Sequence, residues 1–349
     1  MTKITGRPPA GATMWLWASA GLTLGALFCG ALLAPSASLP PVRGLTLLLL
    51  IGSSFHVAAT GYLFTVGEVR AHAWANRRRY LHIPVLLVAG AAVVAALSSQ
   101  AELGWLLLVY FGWQFFHFQK QNIGLVALAA SGHNHAPLTR AERNLSLLAS
   151  VAGIAALLAH PGLLQLRVDT HLSALFPLAG LTYVITVGLG VRALLQRTRR
   201  DRGAGFTVVS LTSLLFFAPV FIFGDPYAAV AGMTIAHGLQ YLLLVGLVSL
   251  GDRRGPARWF GPAVLINVAV VGGLALSAAS HLHTGPAVAR LVFGAYLGVV
   301  MSHFVVDTGL WRLRHTFPRA FLSSRLPYLL PIPPAPLTLM VNSSEADIP

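Results

Sequence analysis

Four histidines lie deep within long apolar segments of the sequence: His56, His117, His237 and His303. Ionisable side chains are costly inside a bilayer, and where they occur they usually mark a function. Neutral imidazole is a good ligand for iron, copper or zinc, and two imidazoles can also serve as axial ligands of haem iron. The four residues therefore predict an intramembrane site with His56, His117, His237 and His303 as metal ligands.

Each of these histidines has polar neighbours one helical turn away. Positions three or four residues apart share a face of a helix, so such neighbours point toward the same site. In chain order the neighbours are Thr60, Gln114, Gln121, Gln240, Tyr241 and Asp307. A ligating imidazole usually donates its other ring N–H to a group of this kind, which orients the ring. All of them except Thr60 are candidate catalytic or orienting residues.

Asp307 allows three interpretations. It can orient His303 from position i+4, or it can ligate the metal itself. Four neutral ligands leave the charge of a metal ion uncompensated in a low dielectric, so an anionic partner is physically attractive. The third interpretation is an ion pair at the end of the helix with Arg312 or Arg314.

The elements that must position these residues are membrane-spanning helices. Apolar residues make up 56% of the 349 positions and charged residues only 10%, far from the roughly 25% charged that soluble domains carry. Segments long enough to cross about 30 Å of hydrocarbon occur about ten times. They lie near 14–35, 44–66, 81–98, 104–130, 144–159, 172–195, 206–223, 226–250, 260–279 and 287–311. We expect one all-α transmembrane domain over 1–330 and a disordered tail over 331–349.

The arginines predict the orientation of these spans. If the N-terminus is cytoplasmic and the connections alternate, only Arg43, Arg167 and Arg290 lie on the outer side, as the positive-inside rule requires. Both termini are then cytoplasmic. The four histidine-bearing spans run in the same direction, and their rings lie roughly 17 to 24 Å from the outer end at the helical rise. The four imidazoles are expected to meet in one layer.

The basic residues also bear on partners and location. The net charge of +14 comes from arginine clusters between apolar runs, so it predicts topology and no nucleic-acid partner. Lys3 and Lys120 are the only lysines among 24 basic residues, a bias typical of bacteria with GC-rich genomes. We expect a multi-pass protein of a bacterial inner membrane. Its partners are the lipid bilayer, a lipophilic small molecule and an electron donor.

Several motifs are absent from the sequence. The single cysteine, Cys29, excludes a disulfide framework and a cysteine-based zinc or iron–sulfur site within one chain. The His-x-x-x-His boxes of membrane desaturases, the His-Glu-x-x-His helix, the P-loop and the Gly-x-Ser-x-Gly elbow are also missing. The corresponding enzyme classes are excluded.

The plan of a polytopic protein with single deep histidines on several spans resembles the Brp/Blh family of β-carotene cleavage dioxygenases. The resemblance covers spans two to ten, and its local match is His237-Gly238. Gln240 and Tyr241 stand where that family has an acidic residue. The resemblance implies a metal held within the membrane by histidines, and the family is thought to use iron. The segments around His237 and His303 also resemble those of uncharacterised bacterial membrane proteins.

These observations favour a membrane-embedded, histidine-ligated metal oxidoreductase. Iron with dioxygen is the first choice of metal chemistry, with copper or zinc as alternatives, and an isoprenoid or acyl chain is the expected substrate. A second interpretation is a b-type haem protein that transfers electrons. A third is a metal-free transporter or proton relay, and a scaffold or assembly factor is a fourth.

Overall fold

The computed structural model describes residues 9–35, 39–251 and 256–330. Over these ranges the chain is helical and contains no strand, so the predicted all-α class is confirmed. The predicted tail, 331–349, lies outside the described residues. So do Arg253 and Arg254 of the connection before the ninth predicted span.

Fourteen α-helices make up the described part of the chain. They are α1 (Ala10–Leu32), α2 (Arg43–Leu50), α3 (His56–Leu63), α4 (Gly67–Ala75), α5 (Ile83–Leu97), α6 (Gln100–Gly132), α7 (Arg140–Ala159), α8 (Leu175–Leu195), α9 (Ala204–Leu214), α10 (Ala218–Ile222), α11 (Pro226–Leu250), α12 (Phe260–Ser280), α13 (Ala287–Leu310) and α14 (Thr316–Arg325). A π-helical turn, Ile51–Phe55, joins α2 to α3, and a second one, Arg78–His82, precedes α5.

Eight helical segments among the described residues are long and apolar enough to cross a membrane. They are Ala10–Leu32, Arg43–Leu63, Arg78–Leu97, Arg140–Ala159, Leu175–Leu195, Pro226–Leu250, Ala257–Ser280 and Ala287–Leu310. Each corresponds to one of the ten predicted spans. The chain is therefore a polytopic helical protein of the membrane type.

The remaining two predicted spans differ from these eight. The span predicted over 104–130 is α6, whose 33 residues extend about 50 Å at the helical rise. It is less apolar because amide side chains and Lys120 interrupt its centre. The span predicted over 206–223 is not one helix, since α9 ends at Leu214 and α10 begins at Ala218. The total of ten spans and their orientation remain predictions.

The break before α11 has a local cause. The carboxylate of Asp225 accepts hydrogen bonds from the backbone N–H groups of Tyr227 and Ala228, at 2.8 and 3.1 Å. This is an N-cap, and Pro226 occupies the first position of the helix, where a missing N–H costs nothing. The sequence thus starts a new helix at Pro226 rather than continuing α10.

Small residues allow the helices that carry the site to pack closely. A Cβ on Gly294 would overlap the carbonyl oxygen of Ala91, and one on Gly298 would overlap the backbone of Val88. These two glycines form a Gly-x-x-x-Gly pair on α13 that faces α5. The pair lets α13, which carries His303, pack directly against α5.

An ion pair ties the connection between α6 and α7 to the end of α8. The Arg197 guanidinium donates to both carboxylate oxygens of Glu142, one of them at 2.7 Å, and to the carbonyl oxygens of Ala136 and Pro137. Hydrogen bonding to Glu142 raises the pKa of Arg197 above its usual value. The guanidinium therefore holds its charge at any ordinary pH.

Candidate metal centre

The structure brings the four deep histidine rings into mutual contact. Their centroids are separated by 4.9 Å for His56–His237, 5.1 Å for His237–His117, 5.3 Å for His117–His303 and 5.0 Å for His303–His56. The four rings thus form a closed quadrilateral, with 6.4 Å across it between His237 and His303. All four side chains are at most 5% exposed. We call this group of four residues the His cluster.

Backbone contact between α11 and the π-helical turn brings the first two rings together. Gly52 lies in the turn Ile51–Phe55 and Gly238 directly follows His237. A Cβ on Gly238 would overlap the carbonyl oxygen of Gly52, and a Cβ on Gly52 would lie 2.6 Å from Cα of Ile235. Only glycine, which has no Cβ, permits the two backbones to come this close. The turn itself is of the π-helical type, which is common at functional sites, and it ends where His56 begins α3.

Asp307 completes one side of the His cluster. Its Oδ2 atom lies 3.5 Å from Nε2 of His303 and 3.8 Å from Nε2 of His117. Its Oδ1 atom accepts a hydrogen bond of 3.2 Å from the Tyr241 hydroxyl. In the described ranges it forms no salt bridge with an arginine, so the predicted pairing with Arg312 or Arg314 is not what the structure contains.

A chain of hydrogen bonds connects three helices behind His303. The Thr60 hydroxyl lies 2.8 Å from the Tyr241 hydroxyl and 2.6 Å from Nδ1 of His303. Because Tyr241 donates to Asp307, its oxygen accepts from Thr60, and the Thr60 oxygen then accepts from Nδ1–H of His303. This direction leaves the Nε2 lone pair of His303 free, on the side that faces Asp307.

Most ring nitrogens of the His cluster have no hydrogen-bond partner among the residues that the structure describes. By distance and angle, both nitrogens of His56, His117 and His237 are buried and unpartnered, and so is Nε2 of His303, while backbone groups of Gly52 and Ser53 lie near the His56 ring. Buried polar atoms are nearly always hydrogen-bonded, and each exception calls for an explanation. A ligand that accepts lone pairs explains one nitrogen of each ring, four in all, because the second nitrogen of a neutral imidazole carries a proton.

The potential ligand atoms fall into two overlapping triads. His56, His237 and His303 form one triad, and His117, His303 and Asp307 form the other. Within each triad the ligand atoms lie within 4.8 Å of one another, and every member is buried. No other grouping of this kind occurs in the described ranges, and the neighbouring rings of His133 and His135, 5.8 Å apart, belong to none.

The predicted amide side chains surround the cluster in different ways. Gln121 donates to the carbonyl oxygen of His237 at 2.9 Å and to Oε1 of Gln240 at 3.0 Å. Gln240 in turn donates to the Thr23 hydroxyl on α1 at 2.7 Å. Both residues therefore brace α11 rather than contact the imidazoles. Gln114 differs, because its Oε1 atom is buried without a partner in the described structure.

No protein-family model, curated protein or solved structure matches this chain. The resemblance to carotene dioxygenases therefore stays a prediction from the sequence. Function has to be argued from the site itself.

Two aromatic residues cover rings of the His cluster, a role that was not predicted from the sequence. Phe118 stacks on His237 with ring centroids 4.0 Å apart, and Phe304 stacks on His117 at 4.5 Å. Each phenylalanine follows one histidine in the sequence but covers the ring of another. The repeated His-Phe pair, at 117–118 and 303–304, was the signal that could have identified them. These rings pack against the imidazoles and hold them in place.

Thr60 is the third residue whose role was missed. It was noted as the i+4 neighbour of His56, yet its hydroxyl binds His303 on another helix. Spacing along one helix predicts which residues share a face but not which partner helix that face meets. The other histidines lie at the surface or at helix ends, and His171 is an example with a side chain 85% exposed.

Proposed function

We propose that the His cluster and Asp307 bind a single metal ion and that the protein is a membrane-embedded metal oxidoreductase. The observation that carries this proposal is that each of the four rings has at least one buried nitrogen without a hydrogen-bond partner in the described residues. Neutral imidazole is a strong ligand for iron, copper and zinc. A buried carboxylate 3.5 Å from one of the rings offers the negative charge that such an ion needs in a low dielectric.

The spacing of the rings suits one ion. A metal–nitrogen bond of about 2.1 Å places neighbouring imidazole centroids about 4.6 Å apart at a right angle and about 5.3 Å apart at a tetrahedral angle. The four sides of the His cluster measure 4.9 to 5.3 Å. The two triads share His303, whose Nδ1 is bonded to Thr60, so only Nε2 can ligate. One shared ligand atom favours one ion over two.

Iron is the metal that we favour. The ligand set is nitrogen with one carboxylate oxygen, which suits iron, and copper or zinc are alternatives. Cys29 offers no thiolate here, since it belongs to neither triad. When bound, iron would supply redox chemistry and dioxygen binding, with electrons drawn from the substrate or from a partner protein. The protein's own residues orient the ligands.

A lipophilic substrate fits the surroundings of the His cluster. Trp113 is 38% exposed on the side of α6, and its ring lies 5.6 Å from that of Phe304. Phe304 in turn stacks on His117. This row of aromatic rings leads from the lipid-facing surface to the cluster without a charged side chain. An isoprenoid or acyl chain is the class of substrate that would pack against these apolar rings.

The haem alternative is less compatible with the spacing. A bis-histidine haem needs two imidazoles on opposite sides of the macrocycle. His237 and His303 are 6.4 Å apart, but His56 lies 4.9 Å from one ring and 5.0 Å from the other. It stands in the space that a macrocycle between them would fill. The distances therefore favour a bare ion.

The metal-free alternatives need another set of partners for the lone pairs of these rings. Histidines that only hold helices together, or that relay protons, are expected to hydrogen-bond with neighbours or water. One ring nitrogen of the His cluster, Nδ1 of His303, has such a protein partner among the described residues. For location, we propose the inner membrane of a bacterium, with about ten spans and both termini cytoplasmic.

Nitric oxide tests the oxidoreductase proposal. The purified protein would be loaded anaerobically with iron(II) in lipid nanodiscs and examined by electron paramagnetic resonance with nitric oxide, a surrogate for dioxygen. We expect the half-integer spin signal of an iron nitrosyl in the wild type, its loss in His303→Ala, and its retention in His171→Ala. The signal should change when an isoprenoid or acyl chain is added. Iron that binds without any nitrosyl signal would refute dioxygen chemistry, and a Soret band would support haem instead.

A further inference from the structure

A second buried polar site lies beside the His cluster. A cavity of about 10 Å³ is enclosed by α1, α6, α9 and α11. Its polar lining consists of Ser19, Thr23, Asn122, Thr212, Ser213 and Gln240. Each of these side chains is at most 9% exposed. Buried polar groups are nearly always hydrogen-bonded. An occupant that can form hydrogen bonds is therefore expected in this space.

Two hydroxyl groups of this cavity have no partner in the described structure. Ser19 on α1 is 2% exposed and Ser213 on α9 is 5% exposed, and neither Oγ atom makes a hydrogen bond. The other lining groups are satisfied at least in part. Thr23, for example, donates to the carbonyl oxygen of Ser19 at 2.7 Å. The cavity therefore offers free donors and acceptors on two of its walls.

Two glutamine side chains link the lining of this cavity to the backbone of His237. Gln240 lines the cavity and donates to Thr23, and its Oε1 atom accepts from Gln121. Gln121 also donates to the carbonyl oxygen of His237. A continuous set of hydrogen bonds thus joins the cavity to the backbone of a proposed ligand.

A polar row on α1 extends the cavity in the other direction. Trp15, Ser19 and Thr23 are four residues apart and share a face of the helix. The indole N–H of Trp15 is buried and also unpartnered in the part of the chain that the structure describes. The row covers about 12 Å at the helical rise, toward the end of the bundle where α1 begins.

We propose that this cavity holds ordered water and is the inner end of a hydrated path along the Trp15–Ser19–Thr23 face of α1. The path runs from the cavity, which Gln240 and Gln121 link to the backbone of His237, to the aqueous phase at the membrane surface where α1 begins. Its role, the exchange of water and protons with the metal centre, rests on the proposed oxidoreductase function. The water site itself does not depend on that function.

Water suits the cavity better than a sodium ion. A space of about 10 Å³ for water centres is near the minimum for one molecule, which needs two to four polar partners. Every polar lining group is neutral, and a cation buried without a counter-charge carries a large desolvation cost. Serine hydroxyls can donate as well as accept, and a water molecule uses both capacities.

Hydroxyl-radical labelling by synchrotron X-rays tests this directly, because radicals form on bound water and modify adjacent side chains. Leu125 and Val209 line the cavity and are each 4% exposed. We expect both of them and Trp15 to be labelled in the wild type. Leu45, which is 0% exposed in another part of the core, should stay unlabelled.

Valine and threonine are isosteric with each other, so a pair of such variants separates loss of the hydroxyl from the effect of added volume. Labelling of Leu125 and Val209 should be lost in Ser19→Val and retained in Ser19→Thr, and the same contrast is expected for Ser213→Val and Ser213→Thr. Elution profile and melting temperature verify that each variant is folded. The experiment is repeated on His117→Ala, whose labelling should equal that of wild type even if no metal binds.

Three results would overturn the proposal. Absence of labelling at Leu125 and Val209 in folded wild type would mean a dry cavity. Labelling there without labelling of Trp15 would mean that no hydrated path follows α1. Protection by sodium chloride but not by N-methylglucamine chloride would identify a cation as the occupant. None of these outcomes affects metal content, so failure of this proposal is distinct from failure of the metal site.

Discussion

The hydroxyl of Thr60 lies 2.6 Å from Nδ1 of His303, although the two residues belong to different helices and are 243 positions apart. Through Thr60, His303 is connected to Tyr241 and Asp307. The ring is thereby held in one orientation, with the proton on Nδ1 and the Nε2 lone pair directed toward Asp307. Partners of this type raise the basicity of a ligating imidazole and hold its tautomer.

Replacing Thr60 by valine should weaken metal binding without removing a ligand. Loss of such an orienting partner typically costs about 10- to 100-fold in metal affinity. Competition titration with a chelator measures this effect in Thr60→Val. The matched control is Thr186→Val on α8, where a threonine that is 2% exposed lies in another part of the bundle. Equal affinities in the two variants would show that the bond to His303 has no orienting role.

Gly238→Ala should disrupt the contact between α11 and the π-helical turn. The added Cβ would overlap the Gly52 carbonyl oxygen, and overpacking of this kind costs about 1–3 kcal/mol or more. Gly246→Ala, on the same helix, meets nothing within 4 Å and should stabilise by up to about 1 kcal/mol through helix propensity. Melting temperatures in detergent compare the two. If the two variants have the same melting temperature, the close approach of the Gly238 and Gly52 backbones is not what positions His56 beside His237.

Two glutamines of α6 should respond in opposite ways to substitution by methionine. Gln119 donates to the carbonyl oxygens of Ser146 and Ser213, so Gln119→Met should destabilise by about 1–3 kcal/mol because it leaves buried acceptors unpaired. Gln114 has a buried, unpartnered Oε1, so Gln114→Met should leave the melting temperature unchanged or raise it. It should nevertheless change the nitrosyl signal of the iron-loaded protein if Gln114 faces the ligand. An equal fall in melting temperature for both variants would assign Gln114 a structural role instead.

Helix type and the meeting of the four histidines were predictable from the sequence because both depend on regular geometry. Apolar runs of span length predict helices, and similar depths on helices that run in one direction predict that four rings share a layer. Asp307 beside His303 follows from i+4 spacing in the same way. These features need no knowledge of which helices are neighbours.

Features that depend on helix neighbours were not predictable in this way. Thr60 shares a face with His56 but binds His303, and Phe304 follows His303 but stacks on His117. The break at Leu214 in the seventh predicted span was also missed, because residues 206–223 read as one apolar run. Spacing along one segment carries no information about partners across the bundle.

Metal content is the most direct test of the central claim, that the His cluster binds one ion. Inductively coupled plasma mass spectrometry would be applied to detergent-purified wild type, His117→Ala and His171→Ala, together with a visible absorption scan. We predict about one iron, copper or zinc ion per chain in the wild type and in His171→Ala, since the two triads share His303. We also predict a large loss in His117→Ala and no haem band. A metal-free wild type, or metal that remains in His117→Ala at the wild-type level, would contradict the account.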